Sequence, residues 1–388
     1  MDLNSYLREA AGEGEHAGEG SFTLAGERAL GKLAEFSLPS EYSWALKLVQ
    51  YVVALSSAEL RIAIGRKETC FKFVPGKHVS LVSIEEAFFQ PELSENPALN
   101  HLKPALWSAG LEGRRAFRIS MAGAPECLLW NGVRLSRVPE QNPPEQGMEV
   151  AVTPLGVGAV RAPWIGRQLL TSERNADLLK VLSRVAYPCP VPLRVDGRRL
   201  DGLERDPKRG WNSPSLPLCL LCSDENGEPR TAALVSLTFA ARQQERKKRH
   251  SRLVWVEDGV VLEEEPLSIR KTFCSLTVFT SAKGLQKDLT TLNIAGSREK
   301  TERGVTALYR AIELLKGLAD GKTGEMPDAD TLFTTGRLYS TKDRLWGVIP
   351  RYPSYVHGGL DSWSADGQQN EITEYFKEFY AAIQEHVR

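Results

Sequence analysis

The chain has 388 residues, 42% of them apolar, which is enough to bury cores in two or three domains. Lysine plus arginine and aspartate plus glutamate both total 49, so the net charge is zero and no overall field favours nucleic acid or an anionic membrane. The apolar stretches are too short or interrupted to span a bilayer and the N-terminus does not read as a signal peptide, so we expect a cytoplasmic protein.

The first part of the chain is predicted to form helices and then a strand hairpin. Residues 1–20 are polar and glycine-rich, which is typical of a loosely attached arm, and helical spacing follows over 22–38. The segment Trp44–Leu55 is apolar almost all round, which indicates a helix packed between other elements. Alternating residues predict a strand over Leu60–Ile64, and Thr69–Val74 predicts its hairpin partner.

Two further helices and a run of strands are predicted before residue 160. The helices cover Ile84–Phe89 and Leu99–Ser108. The strands cover 116–123, 126–138 and 147–155, with Gly, Pro and Asn at turn positions between them.

The second half of the chain has an α+β pattern. A helix over 172–186 leads into a strand that ends in Asp-Gly. Strands are then predicted near 216–222, 231–239, 252–263 and 272–280, followed by helices over 298–317 and 371–386.

Two local features allow more than one interpretation. Cys219 and Cys222 form a CxxC inside an apolar strand, which favours core cysteines and leaves a redox pair or half of a zinc site as alternatives. The basic run 242–252 lies between two apolar strands, which favours a solvated hairpin loop and leaves contact with nucleic acid or an acidic partner as the alternative. The histidines show no metal-ligand spacing, so no metal site is predicted.

The segment Leu46–Ile64, LKLVQYVVALSSAELRIAI, resembles the helix and strand that carry the catalytic residues of the GHKL ATPases, the gyrase, heat-shock-ninety and MutL type. The family pattern is E-L-x-x-N-x-x-D-A-(G)-A followed by a strand. The resemblance places Lys47 at the Glu general base, Tyr51 at the magnesium-ligating Asn and Ala54 at the following Asp.

Other pocket positions follow from the same resemblance. The segment FKFVPGKHVSLVSIEEAF is similar to the strand, glycine loop and short helix in which an Asp reads the adenine, and it carries Phe73 or Val74 at that Asp. Gly76 is the one glycine left in the loop, and His78 is expected to face the pocket. Met148 stands where MutL-like members have a Thr that helps to hold adenine.

The resemblance also suggests two elements that would contact phosphates. Gly110 and Gly113, with Arg114 after them, are either the remnant of the glycine lid or a simple turn. Lys283 or Lys287 is the candidate for the basic residue that the transducer domain inserts toward the γ-phosphate.

The fold implied by the resemblance is α+β. It consists of a GHKL (Bergerat-type) α/β sandwich with a mixed sheet, then an α+β transducer-like domain and a short C-terminal tail. The implied divisions are an arm over 1–20, a degenerate ATPase-like domain over 21–170, a transducer-like domain over 171–325 and an extension over 326–388.

These changes imply a non-catalytic GHKL pseudo-ATPase that serves as a scaffold or regulatory interaction protein and uses no cofactor. The alternative is a divergent but active ATP-binding chaperone or repair ATPase, with ATP as its cofactor. We expect a protein partner, with a homodimer allowed by the resemblance, and no nucleic-acid or membrane partner.

Overall fold

A computed structural model describes residues 41–90, 94–110, 115–155, 164–200, 215–223, 229–239, 251–267, 274–288 and 292–319. The N-terminal arm, the helix predicted over 22–38, the basic run up to His250, the C-terminal extension and the side chains of Cys219 and Cys222 lie outside this description.

The first described helix, α1 (Ser43–Ala54), is enclosed by other elements. Every residue from Ser43 to Val52 is buried, as its all-round apolar sequence predicts. The chain then enters strand β1 (Leu60–Ile64), which pairs antiparallel with β2 (Thr69–Phe73). The predicted helix and hairpin are therefore confirmed.

Two short helices follow the hairpin, and the second of them packs beside α1. Helix α2 (Leu81–Phe89) begins at Ser80, whose hydroxyl accepts a hydrogen bond from the Ser83 amide at 3.1 Å, while the Ser83 hydroxyl accepts one from the Ser80 amide at 3.2 Å. Helix α3 (Leu99–Gly110) is joined to α2 by the Trp107 indole, which donates to the Phe88 carbonyl at 3.0 Å.

The hairpin belongs to a large mixed sheet. Its other strands are β3 (Arg115–Met121), β4 (Glu126–Trp130), β5 (Leu135–Pro139), β6 (Met148–Pro154), β7 (Leu193–Val195) and β8 (Arg198–Arg199). The eight strands are ordered β5-β4-β3-β6-β2-β1-β7-β8, and the β1–β7 pair is parallel. Helix α4 (Trp164–Val185) connects β6 to β7.

The two faces of this sheet differ because successive strand residues point to opposite sides. On one face, Leu60, Phe71 and Phe117 are buried in the core under the helices. On the other face, Arg61 and Lys72 are exposed.

A second sheet follows in the chain. It contains β9 (Ser215–Ser223), β10 (Pro229–Phe239), β11 (Ser251–Glu257), β12 (Val260–Leu267) and β13 (Cys274–Ser281), in the order β12-β11-β13-β10-β9. Helix α5 (Arg298–Ala319) packs on this sheet. Val260 of β12 joins the same buried cluster as the core of the first sheet, so the two sheets share packing.

Two strands that the sequence predicts as continuous are each divided by a turn. In 126–138, the Asn131 side-chain oxygen accepts from the amides of Val133 and Arg134, both at 3.0 Å, and Gly132 has a φ of 97°. In 252–263, the turn lies at Asp258 and Gly259, with φ of 43° and 79°. Both single-strand predictions are wrong because turn residues inside an apolar run reverse the chain without interrupting its hydrophobicity.

The first sheet extends past residue 170 along the chain. Strand β7 pairs with β1, from Leu60 opposite Leu193 to Ile62 opposite Val195. The division of the chain at 170 remains a prediction. No helix in the described ranges is long and apolar enough to cross a membrane.

Candidate functional site

The first two positions that the resemblance assigns to the ATP pocket lie on one side of α1. Lys47 and Tyr51 are four residues apart, about one helical turn, and both are fully buried. Ala54 lies at the C-terminal end of the helix and is half-buried. The residues of this candidate site therefore lie in the buried interior between α1 and the elements that pack on it.

Tyr51 is enclosed by apolar and soft atoms. Its hydroxyl contacts the Met148 sulfur at 3.7 Å, and its ring meets Phe73 edge-on with centroids 5.9 Å apart. Burial raises the pKa of the Tyr51 phenol well above its usual range, so the hydroxyl stays protonated. The positions assigned to the magnesium ligand and to the adenine contact from β6 thus touch each other.

The two candidates for the adenine-reading position point in opposite directions. Phe73 is buried against Tyr51, whereas Val74 is 47% exposed. Of the two, only Phe73 reaches the residues of the α1 site, and it brings a hydrocarbon ring in place of a carboxylate.

The glycine loop closes over the end of α1. The amides of Gly76 and Lys77 both donate to the Leu55 carbonyl, at 2.9 and 3.0 Å, and the Lys77 ammonium donates to the Ala54 carbonyl at 2.9 Å. A Cβ at Gly76 would collide with the Ser56 carbonyl. These contacts require a glycine here for close backbone approach. His78 lies exposed on the same loop.

Gly110 ends α3 against the core. Its carbonyl accepts from the Trp130 indole at 3.1 Å, and a Cβ would lie 2.8 Å from that indole nitrogen. Among the lid candidates this glycine therefore serves packing, while Gly113 and Arg114 fall outside the described residues.

Lys47 faces charged groups brought by the second sheet. Burial lowers the pKa of the Lys47 ammonium to about 8, while the carboxylates of Glu257, Asp258 and Asp288 raise it and Lys287 lowers it. Next to it on α1, the Gln50 amide donates to the Glu257 backbone carbonyl at 3.1 Å. Helix α1 and the end of β11 are thus joined by polar contacts.

The two transducer lysine candidates differ in what they contact. Lys287 binds the Glu257 carboxylate at 2.8 Å, with 13% of the lysine side chain and 8% of the glutamate side chain exposed. Lys283 lies exposed. The structure therefore brings Lys287, Glu257 and Lys47 into one electrostatic group.

A second ion pair borders this group. His101 of α3 contacts Asp258 at 2.8 Å, and both side chains are largely buried. Burial raises the pKa of the Asp258 carboxyl, but the hydrogen bond and charge of His101 together with the charges of Lys283 and Lys287 outweigh it, so the net pKa is lowered.

Sequence reasoning missed Gln50, His101, Glu257 and Asp258 as members of this site. The sequence did contain one signal for Glu257 and Asp258. They form a Glu-Asp-Gly turn directly after an apolar strand, where polar side chains need hydrogen-bond or charge partners. Within the described ranges, no group of three His, Cys, Asp or Glu side chains is placed to hold a metal ion.

No protein-family model matches the chain, and no curated protein matches its sequence. Similar solved structures include the N-terminal domain of a DNA repair protein, with 10% identity, 75% of this chain and 98% of that chain covered, and a TM-score of 0.36. The B-subunit of DNA gyrase from Myxococcus xanthus has 14% identity, 71% and 90% coverage, and a TM-score of 0.40. The Aquifex aeolicus MutL ATPase domain complexed with ADP has 13% identity, 61% and 90% coverage, and a TM-score of 0.33. The mixed α+β fold expected from the sequence is present in the described residues.

Proposed function

We propose that the chain is a GHKL-type pseudo-ATPase that serves as a scaffold or regulator for a protein partner and does not hydrolyse ATP. The observation that carries the proposal is the burial of Tyr51 against Met148 and Phe73 at the assigned nucleotide position. In our proposal, these three side chains occupy the space that a metal-bound nucleotide would need and supply no carboxylate or amide ligand for the metal.

The chemistry of this cluster argues against magnesium. Mg²⁺ is a hard cation that takes oxygen ligands in near-octahedral geometry and usually keeps several waters. The protonated phenol of Tyr51 and the thioether of Met148 are poor ligands for such an ion. Without the metal, the charge of a triphosphate would have to be neutralised by the protein alone.

Lys47, the residue at the general-base position, is protonated at the pH at which a general base must be unprotonated. A general base must accept a proton from water near neutral pH. With a pKa of about 8, Lys47 is mostly protonated at pH 7 and would donate a proton. This supports the absence of hydrolysis at this position.

The cations near α1 already face a carboxylate of the same chain. Glu257 contacts Lys287 at 2.8 Å and acts electrostatically on Lys47. In our proposal the Glu257 carboxylate substitutes for the phosphate that these lysines would otherwise attract. The second sheet is then held against α1 without a nucleotide, and regulation comes from a protein partner, including a second copy of the chain.

Titration calorimetry of the full chain with ATP and ADP, with and without Mg²⁺, tests the proposal. We expect no binding heat at protein concentrations of tens of micromolar. Magnesium-dependent binding in the micromolar range would overturn it and favour the active ATPase alternative, which an assay of phosphate release would then examine.

A control separates the pocket from the surface, because ATP can bind weakly to exposed cations. Any magnesium-independent heat is expected to weaken in Lys72→Gln, which removes an exposed charge outside the site. Heat that survives in Lys72→Gln and changes in Lys47→Met would place the nucleotide at α1 and contradict the proposal.

A further inference from the structure

Four basic residues form a row across the open face of the first sheet. In the strand register, Arg199 of β8 lies opposite Arg194 of β7, Arg194 opposite Arg61 of β1, and Arg61 opposite Lys72 of β2. Directly paired residues share a face, so all four belong to one row. With strands about 4.8 Å apart, the row is about 14 Å long. We call Arg61, Lys72, Arg194 and Arg199 the basic row.

The basic row is open to solvent. The side chains of Arg61, Lys72 and Arg194 are 71%, 58% and 50% exposed, and Arg199 is also exposed. Their strand neighbours Leu60 and Leu193 point to the opposite face and are buried. The helices therefore cover one face of this part of the sheet and leave the basic row uncovered.

Stability of the fold alone does not account for this arrangement. Like charges directly opposite each other on neighbouring strands destabilise a sheet, and the basic row has three such pairs in succession. Glu59 is shared, since it contacts Arg61 at 2.7 Å and Arg194 at 3.0 Å. Arg61 and Arg194 thus share one carboxylate, while Lys72 has its own partner in Glu149 at 2.9 Å.

The next row along the strands is made of small side chains. Ala63 of β1 lies opposite Cys70 of β2, and Cys70 lies opposite Ala151 of β6. Ala151 is buried, but Ala63 is exposed and Cys70 is partly exposed, so a polypeptide can approach β1 and β2 closely beside the basic row. The surface therefore combines a line of cations with a neighbouring row of small side chains.

We propose that the basic row is a docking surface for an acidic, extended segment of a protein partner. Acidic side chains along such a segment would add carboxylates to Arg61 and Arg194, which share Glu59. This inference stands independently of the proposed loss of ATPase activity, because it uses a different face of the sheet.

A protein segment fits this surface better than nucleic acid does. None of the described residues that share this face in β1, β2 and β7 is aromatic, so no platform for base stacking is present there. The carboxylates of Glu59 and Glu149 contact Arg61 and Lys72 of the basic row, and they would repel a continuous phosphate backbone. An acidic peptide can place its charges between them.

Fluorescence anisotropy with the full chain tests the docking surface. The probes are a labelled poly-glutamate peptide and a labelled DNA duplex of random sequence. We expect the peptide to bind, to bind more weakly as salt rises, and to lose about tenfold in affinity in Arg61→Gln/Lys72→Gln. Arg61→Lys/Lys72→Arg keeps both charges and should retain most of the affinity.

The matched control is Arg66→Gln/Lys67→Gln in the exposed β1–β2 turn, which removes the same charge from the same hairpin outside the basic row. An equal loss in this control would show a response to net charge alone and overturn the proposal. So would failure of the peptide to bind the wild-type chain, or tighter binding of the duplex through the same residues. If the double variant does not fold, Lys72→Gln alone must still weaken peptide binding for the proposal to stand.

Discussion

Lys47 and Tyr51 lie on neighbouring turns of α1 and are both fully buried, but in different surroundings. Tyr51 is a neutral group among apolar atoms, so its burial adds packing. Lys47 is a cation whose burial is unfavourable and is offset in part by the carboxylates of Glu257, Asp258 and Asp288. The protonation of Lys47 should therefore influence folding.

Stability should depend on pH through Lys47. Its pKa is about 8 in the folded chain against 10.5 in the unfolded one, so between these values the unfolded state binds more protons and stability rises with pH. Across this window the contribution is about 3 kcal/mol at most. In Lys47→Met this rise should be absent, and urea unfolding of both proteins at several pH values measures the difference.

Lys72→Met is the control for this pH dependence. Lys72 is exposed and its pKa is raised by Glu149, so removing it should not abolish the rise between pH 8 and 10.5. Equal pH dependence in wild type and Lys47→Met would show that burial of the charged Lys47 ammonium does not lower the stability of the fold.

At the scale of elements, α1 and the end of β11 are joined by the Glu257 contacts. Glu257→Ala removes the carboxylate from Lys287 and Lys47 but keeps the backbone carbonyl that binds Gln50. Because largely buried cations then lose their counter-charge, we expect the free energy of unfolding to fall by about 3–5 kcal/mol. Chemical denaturation at pH 7 measures this loss.

The matched control is an exposed ion pair of α5. Glu302 contacts Arg298 at 2.6 Å, and both side chains are more than half exposed. Glu302→Ala should change stability by about 0.5 kcal/mol or less. A similarly small effect of Glu257→Ala would mean that the pair with Lys287 is solvated and does not hold the elements together.

Much of the element order could be predicted from the sequence. The length of the apolar segment indicates the helix α1, because it exceeds a typical strand, and the alternation of Leu60, Ile62 and Ile64 indicates the strand β1. The turns at Asn131 and Asp258 were missed, since each interrupts the chain direction inside a single hydrophobic run. Pairing between distant segments, such as β1 with β7, leaves no periodic signal.

The site could be predicted only in part for the same reason. Lys47 and Tyr51 follow from the resemblance of one continuous segment, and Lys287 from the position of a later loop. Their contacts with Glu257 and Met148 depend on how distant elements pack. A carboxylate far along the chain cannot be assigned to a lysine by spacing.

At the scale of the whole molecule, the two sheets are connected by a small number of buried contacts. Val260 of β12 belongs to the cluster under the first sheet, and a Cβ at Gly259 would lie 3.0 Å from the Cys189 backbone. Tyr187, directly after α4, packs with residues of β11 and β13. These contacts do not involve the exposed side chains of Arg61 and Lys72 on the other face of the first sheet.

If the contacts of Tyr187 couple the two sheets, removing its ring should weaken both sheets together. Tyr187 is 3% exposed and meets Phe279 edge-on at 6.1 Å, so Tyr187→Ala should lower stability by about 3–5 kcal/mol. Hydrogen exchange followed by mass spectrometry can monitor β1 and β11 separately, and both should lose protection by similar amounts. Tyr309→Ala, at a position that is 50% exposed, should leave both unchanged. Loss of protection confined to β11 would show that the sheets open independently, and a partner on the basic row would then act on the first sheet alone.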